Sequence, residues 1–197
     1  MERLEAVKSE CLGCRRCPLA ETRTNVVFGY GDASSPLMFI GEAPGATEDA
    51  TGLPFTGRAG KLLDSMLASV GLDRSEVYIA NTIKCRPPNN RDPLPEEQSA
   101  CLPWLKAQLE IIRPAMIVCL GRISAMRFIK PDFRITSEHG QWFEKDGYRI
   151  MAIYHPAALL RDPSKRGDTF EDLRRIEIEY RRMRGAAGTA GETEGKG

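Results

Sequence analysis

Apolar residues fall along this chain in two rhythms. Four short, nearly continuous apolar runs occupy 37–40 (LMFI), 77–80 (VYIA), 116–120 (MIVCL) and 148–154 (YRIMAIY), each bounded by turn-forming or polar residues. Strands buried on both faces read this way. Between and after them the apolar residues recur at helical spacing. Residues 59–70 place Leu62, Leu63, Met66, Leu67 and Val70 on one face, and a helix opening at Pro95 turns Leu102, Leu105, Leu109 and Ile112 inward. Residues 123–129 form a shorter candidate, and 169–184 carry Phe170, Leu173, Ile176, Tyr180 and Met183 as a core-facing stripe. Strand–helix–strand alternation predicts an α/β fold around a central, mainly parallel, four-stranded sheet. No repeat or internal linker interrupts the pattern, so a single domain over 1–184 is expected, with 185–197 (GAAGTAGETEGKG) as a disordered tail.

In open parallel sheets, ligands bind beyond the carboxyl ends of the strands. Here those positions hold Gly41-Glu42-Ala43-Pro44-Gly45, Asn81, Gly121 and His155. Polar and glycine residues thus gather where the fold rule expects a site.

Composition narrows the class. The chain has 197 residues, 42% of them apolar, and no apolar run long enough to span a bilayer. Its first ten residues are polar and charged, unlike a signal peptide, so a cytoplasmic protein is expected. A net charge of +1 does not by itself announce a nucleic-acid binder. Phosphate contacts would have to come from local clusters: Arg15-Arg16, Arg58 with Lys61, Arg86 with Arg91, and Arg161 with Lys165-Arg166.

Six cysteines in such a chain argue for metal rather than disulfides. Cys11, Cys14 and Cys17 form a C-x-x-C-x-x-C run, Cys85 and Cys101 follow at a distance, and Cys119 sits inside an apolar strand as a core residue. Two thiolates of a C-x-x-C turn reach one centre, and two from elsewhere complete a four-thiolate site. If Cys85 and Cys101 both ligate, one cysteine of the first run is spare. Spacing alone does not separate structural zinc from an iron–sulfur cluster.

The strand-end motifs carry the rest. Gly41 and Gly45 allow close backbone approach to a flat ligand, and the acidic Glu42, Glu48 and Asp49 disfavour a phosphate loop. Phe55, in the glycine-rich loop Gly52-Leu53-Pro54-Phe55-Thr56-Gly57, is read either as a loop anchor or as a stacking platform for a base. Taken together, Cys14-x-x-Cys17, GEAPG at Gly41, Glu48-Asp49, GLPFTGRAG at Gly52, NTIKCRPP at Asn81, Cys101 and HPAALLR at His155 resemble the family 4 uracil-DNA glycosylases, the iron–sulfur branch of the uracil-DNA glycosylase superfamily. The match runs from about 11 to 173, with several independent motifs in order.

The resemblance implies a three-layer α/β/α sandwich. It implies a 4Fe-4S cluster on Cys14, Cys17, Cys85 and Cys101, with Cys11 spare. It also implies a uracil pocket: the backbone of Gly41, Glu42 and Ala43 on the base, Phe55 stacked on it, Asn81 reading its edge and His155 near O2. Glu42 and Asp49 would position the attacking water. The substrate would be uracil-containing DNA, single- or double-stranded, bound by a monomer. No histidine occurs from Cys85 to Leu94, so turnover without covalent capture of DNA is expected. His139 is read as a surface residue, and Leu159-Leu160 as either a duplex wedge or the buried side of a short helix. The competing class is a non-catalytic iron–sulfur module that binds nucleic acid or carries electrons. Glu42, Asn81 and His155 at strand ends favour catalysis over it.

Overall fold

The computed structural model describes residues 2–190. Six strands form one sheet: β1 (Tyr30–Gly31), β2 (Leu37–Gly41), β3 (Tyr78–Asn81), β4 (Met116–Leu120), β5 (Trp142–Lys145) and β6 (Tyr148–Ile153). Their spatial order is β1-β3-β2-β4-β6-β5. The four expected runs are the central strands β3, β2, β4 and β6, all mutually parallel. The sheet has six strands rather than the expected four, because an antiparallel strand flanks each edge. Neither addition carries an apolar run: β1 is two residues long, and β5 (WFEK) is half-buried to exposed. β5 and β6 are joined through Asp146-Gly147, both at positive φ (52° and 83°). This is the two-residue hairpin turn that Asp-Gly favours.

The helices are α1 (Glu2–Leu12), α2 (Leu19–Thr22), α3 (Ala46–Thr51), α4 (Arg58–Ser69), α5 (Pro95–Ile112), α6 (Arg122–Phe128), α7 (Ile135–Glu138), α8 (Pro156–Arg161) and α9 (Arg166–Ala190). Alternate strand residues feed two separate apolar layers, as period-2 geometry requires. Met38, Ile40, Ile117, Cys119 and Ala152 pack with Leu4 of α1, Leu105 and Leu109 of α5 and Ala125 of α6. Leu37, Phe39, Val118, Met151 and Ile153 face Leu63 and Leu67 of α4 and Leu173, Ile176 and Tyr180 of α9. The result is a three-layer α/β/α arrangement.

Two helix expectations need correction. Phe170 is exposed, and the buried face of α9 runs through Leu173, Ile176 and Tyr180 with the polar Thr169 and Asp172 beside them. The helix also continues to Ala190, into the stretch expected to lack structure, while residues 191–197 of that tail lie outside the described residues. α1, too polar to stand out in the sequence, buries only Leu4 and Cys11 and delivers its C-terminus to the cysteines. No described helix is long and apolar enough to cross a membrane.

Candidate active site

The carboxyl ends of the four parallel strands open on one side of the sheet into a cleft of about 550 Å³. Glu42, Phe55, Asn81, Tyr154, His155 and Arg161 are among its walls. From β2 the chain moves to β3 on one side and later to β4 on the other. The cleft therefore lies at the topological switch point.

Register sets the floor. Gly41 pairs with Asn81 across β2 and β3. A Cβ on Gly41 would press on Asn81 Oδ1 and come within 2.7 Å of Phe55 Cζ, so glycine is what lets the three meet. Asn81 is 1% exposed, yet its Oδ1 has no hydrogen-bond partner among the described residues. A buried acceptor left alone costs free energy, so its presence calls for a donor from outside the chain.

Phe55 is not a free loop aromatic. Its backbone sits in the left-handed region (φ 53°), which is strained for a bulky residue. The strain is held from two directions. Arg74 Nη1 donates to the Phe55 carbonyl at 2.6 Å, Nη2 donates to that of Pro54, and the guanidinium pairs with Asp64 at 3.1 Å. Glu48 Oε1 accepts from Thr56 N (2.9 Å) and Gly57 N (2.8 Å), while its Oε2 accepts from Gly45 N (3.2 Å). One carboxylate thus ties the GEAPG turn to the Phe55 loop. Sequence patterns alone assign neither Glu48 nor Arg74 a role at the site. The S/T-x-x-E-like spacing of Gly45 and Glu48 was the available signal for the first, and nothing local marks the second.

His155 N-caps α8. Its Nδ1 accepts from Ala157 N at 3.1 Å, so the neutral ring carries its proton on Nε2. Burial, with Arg161 adding to it against Glu48, pushes its pKa down to about 4. The ring lies 5.7 Å from that of Phe55, tilted by 36°. Gly121 (φ 91°) lets the β4 end approach it, since a Cβ there would stand 2.8 Å from His155 Cβ. Glu42 is half-buried on the cleft wall. Burial, helped by Asp92 and opposed by Arg122, lifts its pKa to about 7. The cleft thus combines a neutral donor, a carboxyl poised near neutrality, an aromatic face and an unpaired amide oxygen.

Asp49, expected beside Glu42, is elsewhere. It is buried and does not line the cleft. Its Oδ1 and Oδ2 accept from Thr24 N at 2.9 and 3.1 Å, and Oδ1 also from Asn25 N at 3.3 Å. On a helix, Glu48 and its neighbour point about 100° apart, so only one of two adjacent acids can face the site. His139 is likewise not a surface residue: its Nδ1 lies 2.6 Å from Asp172 Oδ2, and its ring packs 4.8 Å from Tyr154. Leu159 is fully buried and Leu160 half-buried, which fits the short-helix reading for the first. Of the basic clusters, Arg161 and Arg91 line the cleft, Arg91 being paired bidentately with Glu97 at 2.8 and 2.6 Å, and Arg16 stacks 4.3 Å over Trp104.

Behind the cleft a second, smaller pocket is walled by Cys11, Cys14, Cys17, Cys85, Cys101, Arg23, Lys84 and Trp104. Three sulfurs accept N–H donors at 3.2 Å each: Cys14 from Trp104 Nε1, Cys85 from Arg23 Nη1 and Cys101 from Lys84 N. Burial raises the thiol pKa of Cys101 to about 11 and of Cys11 to about 12. Burial raises that of Cys85 as well, against the Arg23 contact. Among the described residues, no three His, Cys, Asp or Glu side chains are arranged around one metal ion. Cys119 stands apart inside β4, fully buried, as expected of a core residue.

An amide, an aromatic ring and a histidine thus converge at the switch point of a parallel sheet, where open α/β sheets bind ligands. The chain belongs to the uracil DNA glycosylase superfamily, whose family model matches residues 28–177. Within it the chain is similar to type-4 uracil-DNA glycosylases. That of Archaeoglobus fulgidus is 48% identical, over 89% of this chain and 92% of the relative. That of Thermotoga maritima is 44% identical over 90% and 91%. That of Sulfurisphaera tokodaii is 43% identical over 89% and 84%.

Proposed function

We propose that this protein is a DNA-repair enzyme that hydrolyses the N-glycosidic bond of deoxyuridine in DNA, releasing uracil and leaving an abasic site. It acts in the cytoplasm, as a monomer. The observation that carries the reading is the buried, partnerless Asn81 Oδ1 beside Gly41 and Phe55, in one cleft with a neutral His155.

The reaction places negative charge on the departing uracil and positive charge on the sugar. The base must first leave the stack, at a cost of a few kcal/mol that is smaller for a mispaired base. Phe55 offers it a face, and Asn81 offers an acceptor to N3–H and a donor to O4. The backbone of Gly41, Glu42 and Ala43 contacts its remaining edge. His155 Nε2–H donates to O2. As negative charge grows on O2 this hydrogen bond strengthens, so it favours the transition state over the bound substrate. A neutral imidazole is suited to this, because with its pKa held at about 4 it donates without transferring its proton. Glu42, once ionised, stabilises the cationic sugar and orients water. Asp49 is committed to the Thr24-Asn25 turn and takes no part. Arg161 at the cleft rim is placed for a DNA phosphate.

Cys14, Cys17, Cys85 and Cys101 would hold a 4Fe-4S cluster, with Cys11 spare. The donor set supports this. Three of these sulfurs already accept N–H groups, which stabilise thiolate charge. All four cysteines line one pocket, as the ligands of one cluster must. When bound, the cluster would supply iron–thiolate bonds that fasten the segment between α1 and α2 to the loop after β3 and to α5.

The test is release of free uracil from a uracil-containing oligonucleotide without added cofactor. Wild-type protein is expected to release it, and His155→Ala to lose most of the rate. No release by folded, iron-loaded protein would return the chain to a non-catalytic binding or electron-transfer role.

A further inference from the structure

Lys84 is the most deeply buried charged side chain at the site, 1% exposed, and no carboxylate pairs with it among the described residues. An ammonium taken out of water costs stability unless its donors are met. Lys84 Nζ meets two acceptors. One is the backbone carbonyl of Asn81, at 3.0 Å, and the other is Gln108 Oε1, at 2.6 Å. Its third direction faces the ring of Phe28, 5.8 Å away. Gln108, itself fully buried on α5, is fixed in turn by donating to Phe28 O at 3.0 Å and Tyr78 Oη at 3.1 Å.

The chain that results runs from the core of α5 to the end of β3. Asn81 is the last residue of β3, and the turn after it leaves the sheet. Thr82 and Ile83 hold the outer side of that turn by donating to Gly41 O and Glu42 O. Lys84 holds the inner side by reaching back three residues to the Asn81 carbonyl. An apolar residue of the same size would pack in the core at lower cost. What it would not do is fix the peptide plane that aims the Asn81 amide. Lys84 also donates its main-chain N–H to Cys101 Sγ, which places the same residue between the cysteine pocket and the base pocket.

We infer that Lys84 is a positioning residue for base recognition, whose side chain holds Asn81 in register to read the base. This deepens the glycosylase reading and rests on it. Lys84 touches no substrate atom, so its effect must pass through Asn81.

The experiment is a double-mutant cycle on iron-loaded protein: wild type, Lys84→Met, Asn81→Ala and the double variant. It measures iron content, binding of free uracil by calorimetry and single-turnover uracil release. Lys84→Met is expected to keep its iron, because the main-chain N–H that Cys101 accepts from is unchanged and the Nζ hydrogen bonds go to Asn81 O and Gln108 Oε1. It should weaken uracil binding and slow release by about tenfold, within the range seen for residues sharing one hydrogen-bond network. In the Asn81→Ala background it should cost nothing further. An equal loss in both backgrounds, or no loss in uracil binding, overturns the inference. If wild type releases no uracil, the glycosylase reading fails separately, and loss of uracil binding by Lys84→Met still decides the positioning role. Should Lys84→Met not fold, Gln108→Leu loosens the same ammonium while leaving its bond to Asn81. That variant should give a smaller loss, about threefold, with the same dependence on Asn81, and an equal loss in both backgrounds would count against it.

Discussion

The cleft and the cysteine pocket share one short stretch of chain, from Asn81 to Cys85, and are ordered by different means. In the cleft, strand register sets Gly41 beside Asn81, and hydrogen bonds within the chain fix the rest: Glu48 on the Phe55 loop, Arg74 on its carbonyls, Ala157 N–H on His155. In the cysteine pocket the sulfurs come from the end of α1, the turn before α2, the loop after β3 and the first turns of α5. Burial raises the thiol pKa of Cys11, Cys85 and Cys101 there, and a bound metal would favour their thiolates. One region is preorganised by the sheet; the other, in the proposed reading, is completed by the cluster it would hold. Variants should therefore separate them.

The largest effect is expected in the cysteine pocket. Protein purified without oxygen should be brown and hold about four irons per chain, the content of one cubane. Cys85→Ala should abolish this and lower the melting temperature, while Cys119→Ala keeps the iron. Stoichiometric zinc in place of iron, measured by elemental analysis, would overturn the cluster and with it the contrast.

In the cleft the largest effect belongs to Asn81. Uracil presents a donor at N3 and an acceptor at O4, and cytosine reverses both. A fixed amide matches the first and leaves cytosine facing two like groups in a dry pocket, each costing ~1–3 kcal/mol. Discrimination of ~10⁴-fold is within reach of such a site. Asn81→Asp should lose most activity on uracil, and its uracil-to-cytosine rate ratio should fall. Next comes His155→Ala, which should fold normally and lose at least ~100-fold in single-turnover rate. A loss under ~10-fold would leave the histidine as a helix cap alone.

The carboxyl of Glu42 gives a pH test. With its pKa lifted to about 7, the ionised fraction grows as pH rises through that value, and the rate should climb about tenfold between pH 6 and 8. Glu42→Gln should lower the plateau and flatten the rise. His155 titrates well below this window, at about 4, so it should not contribute to it. For stability its sign is opposite to that of Glu42. The depressed histidine pKa stabilises the fold fully above the unfolded value of about 6.5 and progressively less as pH falls through about 4.

Much of the fold was legible because the central strands are buried on both faces and so spell continuous apolar runs. β1 and β5 were not, since edge strands have no such requirement; the Asp146-Gly147 pair was the missed sign of the second. At the site, Gly41, Glu42, Asn81 and His155 were legible because strand ends place them. Glu48, Arg74 and Lys84 were not, because their roles depend on partners brought in from another segment: the Phe55 loop for Glu48 and Arg74, and Gln108 of α5 for Lys84. Phe170 entered the α9 stripe on spacing alone, but α9 meets the sheet over a face one step round, where Asp172 receives His139.

The smallest effect on chemistry is expected at Asp49, and it separates the two adjacent acids. Both are on α3, and both lie near the GEAPG turn. The Asp49 carboxylate accepts from the backbone of Thr24 and Asn25 and faces away from the cleft. Asp49→Asn puts an amide NH₂ where one oxygen now meets a backbone N–H. A hydrogen bond is lost and two donors face each other, at ~1–3 kcal/mol. For a chain of this size that lowers the melting temperature on the order of 5 °C. The rate on uracil should change less than about threefold, because Asp49 does not line the cleft. A loss approaching that of Glu42→Gln, with melting temperature unchanged, would put Asp49 back in the reaction and undo the division between the residues that build the cleft and those that use it.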